Sequence, residues 1–162
     1  MDKNSKQENI PDAPNNLNVQ FKEIKGKLDK FKKDLLKKFD KYVLGITLLP
    51  PDKEKKKNIN VLVLVDDSDS RDVAKLNLRD KLISIVDKIA KDIDVNIKPD
   101  VMLNSELAET CFDGKYDILN LIASSAVIYD PSDMLAALKI SQIHKDMVIK
   151  KFDKYIVSYV AA

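Results

Sequence analysis

The sequence predicts an α/β (α+β) fold: a small mixed β-sheet with helices packed on it, preceded by a long N-terminal amphipathic helix. Three stretches carry that expectation. The run Ile59-Asn60-Val61-Leu62-Val63-Leu64-Val65 is apolar and β-branched apart from Asn60, too short for a membrane span, and reads as a central strand covered on both faces. Before it, Phe21, Ile24, Leu28, Phe31, Leu35, Phe39 and Tyr42 recur at steps of three and four, which places them on one face of a helix. After it, Val73, Leu76, Leu82, Ile83, Val86, Ile89 and Ala90 mark a second helix to about Lys91.

Taken in order, Met1 to Asn16 is Asn, Lys, Gln and Pro with almost no apolar content, the composition of a disordered tail. The first helix then runs from about Leu17, with Gly26 off its apolar face at a cost of about 1 kcal/mol relative to Ala. Val43 to Leu49 reads as a strand stopped by Pro50-Pro51, since proline cannot donate a ladder hydrogen bond. Asp52 to Lys57 is a charged loop, and two strands so joined predict an antiparallel hairpin. Asp66-Asp67-Ser68-Asp69-Ser70 supplies helix N-cap candidates for the second helix. Ile93 to Leu103 is a third strand region, expected to be interrupted or bulged near Pro99.

Ser105-Glu106-Leu107 opens a short helix that Asp113-Gly114-Lys115 closes, glycine being favoured just past a helix end. Tyr116 to Ser125 reads as helical and Val127-Ile128-Tyr129 as extended. Asp130-Pro131-Ser132 starts a last helix, capped by Asp130 or Ser132, through Leu135, Leu138, Ile143 and Met147 to about Phe152. Tyr155 to Ala162 is apolar and strand-like.

The totals narrow the class. With 162 residues and 44% apolar content, one domain with a core is expected. The net charge of +2 conceals an asymmetry, because Met1 to Lys57 holds 15 lysines against 9 acids. Such a lysine-rich segment can sit near phosphates, yet its interleaved acids read first as a solvated helix face. A single cysteine, Cys111, excludes an internal disulfide and any multi-cysteine metal site, and points to a cytoplasmic protein. There is no 18-residue apolar run and no hydrophobic signal core, so no membrane association is expected. Gly26, Gly45 and Gly114 are too far apart to form the phosphate-cradling loops of P-loop or dinucleotide-binding folds.

A hexamer repeats letter for letter. Lys37-Lys38-Phe39-Asp40-Lys41-Tyr42 recurs as Lys150-Lys151-Phe152-Asp153-Lys154-Tyr155, each time at a helix end and each time before a strand-like stretch. Self-similarity at a long period is the mark of duplicated units. On this reading Ala162 falls where a second copy's first strand is barely complete.

Lys57-Asn58-Ile59-Asn60-Val61-Leu62-Val63-Leu64-Val65-Asp66 sits in the order helix, strand, loop, strand, helix, strand, helix. Pro99-Asp100-Val101-Met102-Leu103 and Ser105-Glu106-Leu107 follow, then Gly114 before a helix and Val127-Ile128-Tyr129-Asp130. This layout resembles the nucleotidyltransferase superfamily typified by DNA polymerase β, over roughly Lys37 to Pro131. The resemblance implies an Asp-apolar-Asp pair opening the second strand, a third carboxylate on a later strand, and a Gly-Ser contacting phosphates. In this chain Asn58 and Asn60 stand at the paired acids, Asp100 is the remaining acid, and Pro50-Pro51 stands where the Gly-Ser is expected. Nucleotidyl transfer uses Mg²⁺ held by carboxylates, which two neutral amides cannot replace in charge. The resemblance therefore implies a degenerate copy, a pseudoenzyme with no catalytic residues of its own. Its residues 17–153 would form the nucleotidyltransferase-like domain, after a tail at 1–16, with 154–162 beginning a second repeat. A second nucleotidyltransferase domain beyond Ala162 is the implied partner.

Alternatives stay open. Asp66, Asp67 and Asp100 could form a rearranged metal site for Mg²⁺ and an NTP, which would make the chain an active nucleotidyltransferase. The Lys-rich helix and the Asp52 to Lys57 loop could dock nucleic acid. Val63-Leu64-Val65-Asp66-Asp67-Ser68 also resembles the acidic pocket of a response-regulator receiver domain, with Asp117 or Asp130 as phosphoacceptor; simple capping by Asp66 to Asp69 is the plainer reading. His144 stands alone inside a helix, and Cys111 and Ser124-Ser125 lack the context of a nucleophile.

Overall fold

The computed structural model describes residues 15–70 and 74–156, with side chains from residue 20 onward. Five α-helices and four strands follow in the order α1 (Asn15–Phe39), β1 (Val43–Leu48), β2 (Ile59–Val65), α2 (Lys75–Ile93), β3 (Ile97–Leu103), α3 (Asn104–Phe112), α4 (Tyr116–Ala123), β4 (Ala126–Tyr129) and α5 (Met134–Phe152). The strands form one mixed sheet in the order β3-β2-β1-β4. β2 lies antiparallel to β1 and parallel to β3, and β4 lies antiparallel to β1 on the far edge.

The hairpin arises as the sequence predicts. Leu49 still donates to the Asn60 carbonyl at 2.9 Å, and Pro50-Pro51 then ends the pairing because neither proline has an N–H to offer. Alternation along β2 sends Val61, Val63 and Val65 to one face and Leu62 and Leu64 to the other. The first face packs on α1 and α2 through Leu28, Phe31, Leu35, Val86 and Ala90. The second packs on α3, α4 and α5 through Leu107, Leu119, Ile122 and Leu135. Both faces of β2 are thus covered, which is why its sequence carries no polar alternation beyond Asn60.

The α1 stripe is less complete than its spacing predicts. Phe31 and Leu35 are fully buried and Leu28 nearly so, whereas Phe21 is 69% exposed one turn before the sheet begins to cover the helix. In α2 likewise Leu76 is 71% exposed, and Val73 lies outside the described residues. Pro99 makes no bulge: it pairs opposite Val61 in an unbroken register from Ile97 to Leu103. β3 is an edge strand, so the N–H that proline lacks is missing on the side where no strand follows. Gly114 closes α3 at φ 62°, the left-handed conformation that glycine adopts without a side-chain clash.

Glycine matters differently at Gly45, which sits at a register shift in β1 where Leu135 of α5 crosses the sheet. A Cβ there would stand 2.6 Å from Leu135 Cδ1, so glycine is what lets α5 approach. The two copies of the repeated hexamer each straddle a helix end but differ in detail, Phe39 breaking α1 at φ −133° before a 3-10 turn and Asp153 continuing α5 in helical geometry. Phe39 and Phe152 are each the last residue of an α-helix, and Asp40–Tyr42 and Asp153–Tyr155 each form a turn. Of the tail expected at 1–16, Asn15 and Asn16 already belong to α1, and of the strand-like stretch expected at 155–162, Tyr155 lies in a turn; residues 1–14 and 157–162 lie outside the described residues.

Candidate functional site

The mouth of β2 is a polar shelf built by register. Asn60 pairs with Lys98 and Leu62 with Asp100, and alternation puts Asn58, Asn60, Lys98 and Asp100 on the face of Leu62, Leu64 and Met102. The helices on that face cover the Leu62–Leu64 half, while at the mouth Asn58 and Asn60 stay half-buried and Lys98 and Asp100 exposed. Parallel neighbours lie about 5 Å apart, so the Lys98 backbone flanks that of Asn60 directly.

Asp100 does not turn toward the amides. Its Oδ1 accepts its own neighbour's N–H, from Val101, at 2.8 Å and a charged bond from Arg79 Nη2 at 3.3 Å. Arg79 is itself held at the sheet edge by donating Nε to the Val101 carbonyl at 3.1 Å. The remaining acid is therefore engaged outward, on the free side of β3. By register the mouth carries two neutral amides beside the exposed Lys98, and the carboxylates that share a cleft with the amides, Asp94 and Glu23, are paired with Lys27. Mg²⁺ prefers charged oxygen ligands, and this donor set does not fit it.

Beneath the mouth, on the α1 side, a cleft of about 420 Å³ is lined by Ile24, Leu48, Pro51, Asn58, Asn60 and Asn96, among others. Lys27 crosses it to bond Asp94 at 2.7 Å and Glu23 at 2.7 Å. The Lys27 ammonium and the Asn96 N–H hold the Asp94 carboxyl below the usual carboxylate range. Asp94 and Glu23 in turn raise Lys27 above the usual lysine value. This pair ties α1 to the turn between α2 and β3.

Asp66 and Asp67 lie at the other end of β2. Asp66 accepts Ser68 N–H at 3.0 Å in a local turn. Asp67 reaches across to the start of α3, where Oδ1 accepts Ser105 N–H at 3.1 Å and Oδ2 accepts the Ser105 hydroxyl at 2.5 Å. Glu106 completes that helix start by accepting Leu103 N–H at 2.9 Å. Neither aspartate caps α2: Ala74 precedes that helix with no side-chain cap, which corrects the sequence expectation. The physical reason is distance along the chain, since Asp66 is used in its own local turn and Asp67 meets the β3–α3 junction that the parallel register delivers beside it. Asp100 pairs four residues before Asp66 in that register, about 13 Å down the strand. The structure does not bring Asp66, Asp67 and Asp100 together, and no three His, Cys, Asp or Glu side chains among the described residues converge as metal ligands.

The other singled-out residues are structural or dispersed. The receiver resemblance is overturned by the sheet, because the strand before Asp66 has an antiparallel neighbour in β1 where a doubly wound parallel sheet is needed. The N-cap position of α5 falls to Asp133, at φ 56° and with no side-chain cap bond, rather than to Asp130 or Ser132; Asp130 instead reaches the first turn from outside the helix, accepting Ala136 N–H at 2.9 Å. Ser125 is buried, donates to the Ile122 carbonyl and lies 2.5 Å from Thr47 Oγ1, pinning α4 to β1. Cys111 is exposed, and desolvation pushes its thiol up, away from the thiolate a nucleophile needs.

Sequence reasoning missed Lys98 and Arg79. Lys98 stands two residues before Asp100, and only the parallel register reveals that it, rather than Asp100, faces Asn60. No described helix is long and apolar enough to cross a membrane. No known family model and no curated protein matches the chain.

Proposed function

We propose that the chain is a catalytically degenerate nucleotidyltransferase-like domain, a cytoplasmic structural, binding or regulatory unit of a larger nucleotidyltransferase. The chemistry would belong to a second nucleotidyltransferase domain following Ala162. The observation that carries this reading is the register of Asn60 with Lys98, with Asp100 turned out to Arg79. At a mouth of that kind a divalent cation meets two neutral amides and the like charge of Lys98, while the Asp94 and Glu23 carboxylates of the adjoining cleft are already paired with Lys27. The element order, with an antiparallel hairpin followed by a parallel crossover, supports the same reading.

The rearranged site of Asp66, Asp67 and Asp100 finds less support, since two of the three are committed to backbone and hydroxyl donors and the third to Arg79. Docking of nucleic acid is favoured by one feature, the continuous exposure of Asp52 to Lys57 with its four lysines. Binding by that route would weaken steeply with salt.

Incubating the chain with labelled NTPs and Mg²⁺ or Mn²⁺ tests the proposal. No metal-dependent incorporation is expected, and robust transfer that depends on the metal would overturn it.

A further inference from the structure

We infer that α5 is an interaction surface, pairing antiparallel with α5 of a second copy of this chain. This goes beyond the reading of Asn58 and Asn60 and does not depend on it. One side of α5 is used inside the domain, where it packs on α4 and β1 through Leu135 and Gln142, both buried. The other side is apolar too. Ile140 is 67% exposed, Ile143 50% and Met147 64%, although such side chains on a helix ordinarily face a core.

The spacing of this outer face is that of a two-helix seam. Asp133, Ala136, Ile140, Ile143, Met147, Lys150 and Lys154 follow one another at steps of three, four, three, four, three and four. An antiparallel partner fits it in a register that matches every layer. Ile140 then lies opposite the partner's Ile143, Ala136 opposite the partner's Met147, and Asp133 opposite the partner's Lys150. Each layer occurs twice by the two-fold axis. A small residue faces a large one, and the acid at the helix start faces the base at the partner's helix end. A parallel partner would instead set Asp133 against Asp133 and Lys150 against Lys150, so charge selects the antiparallel second copy. Asp133 and Lys150 are both exposed and positioned to meet a partner.

Sedimentation of the full chain from micromolar to submillimolar concentration tests this, with circular dichroism to verify that each variant is folded. A concentration-dependent dimer of the 18.4 kDa chain is expected. Ile140→Glu should weaken it at least about tenfold. Asp133→Lys and Lys150→Asp should each weaken it, and the two together should restore it to within about threefold of the original. A chain that stays monomeric throughout, a dimer that survives Ile140→Glu, or a double exchange that restores nothing would each overturn the proposal. Monomeric binding to phosphatidylserine vesicles without self-association would overturn it in favour of a lipid surface, which the basic end at Lys150, Lys151 and Lys154 would also attract.

Discussion

Replacing Asp67 by Ala separates two roles for an acid at the end of β2. In the structure its carboxylate accepts Ser105 N–H at 3.1 Å and the Ser105 hydroxyl at 2.5 Å, joining the loop after β2 to the first turn of α3. Loss of a helix cap costs about 0.5–2 kcal/mol, and a hydrogen bond to a charged group contributes about 1.5–3. The two overlap at one residue, so a loss of about 2–3 kcal/mol is expected. For a chain of 162 residues that lowers the melting temperature by about 4–12 °C. Ser105→Ala should cost about 1 kcal/mol, and the double variant should show a coupling of about 1–2 kcal/mol between the two sites. Thermal and urea unfolding with and without Mn²⁺ is the assay. The cap account expects the same loss in both conditions. A wild-type protein stabilised by Mn²⁺, with that increment alone missing in Asp67→Ala, would refute it and favour a metal ligand.

Other expectations follow from packing and charge. Phe31→Ala removes a fully buried ring between α1 and the sheet and should cost about 3–5 kcal/mol in urea unfolding. Gly45→Ala places a Cβ 2.6 Å from Leu135 Cδ1 and should destabilise by about 1–3 kcal/mol, while Gly26→Ala, with open space around it, should stabilise by up to about 1 kcal/mol. Asp94→Asn keeps an acceptor for Asn96 N–H but removes the partner of Lys27. The Asp94 carboxyl is held low, so its stabilising effect is present above its ordinary value of 3.8 and disappears as the pH falls through the lower folded value. Lys27 is held high, so its share is present below 10.5 and disappears as the pH rises through the higher folded value. The difference in melting temperature between wild type and Asp94→Asn should therefore be level across neutral pH and shrink at both extremes; a difference largest at acid pH would contradict the pairing.

Much of this fold is written in local pattern. β2 is legible because Ile59 to Val65 must be buried on both faces, and the hairpin because Pro50-Pro51 cannot continue a ladder. What the pattern does not carry is register. Which residue of β3 stands beside Asn60 depends on where the crossover through α2 returns the chain, and a shift of two residues exchanges Asp100 for Lys98. The same holds for Asp67, whose place after β2 suggested a cap for the next helix in sequence. Its partner is the helix that the parallel pairing brings alongside, α3. Phe21 and Leu76 fit their helical stripes by spacing, yet the sheet does not extend far enough to cover them.

The charge at the mouth of β2 is open to one direct measurement: titration of the folded wild-type chain with Mn²⁺, read by water proton relaxation, beside the variant Asn58→Asp/Asn60→Asp/Lys98→Asp. An ammonium about 5 Å from a divalent ion repels it by roughly 2 kcal/mol under water-like screening and more in a partly buried site. Replacing it and both amides by carboxylates should therefore raise affinity at least tens-fold. No bound Mn²⁺ at submillimolar concentration is expected for the wild type, and saturable binding for the variant. Tight, saturable binding to the wild-type chain that Asn60→Ala abolishes would contradict the account.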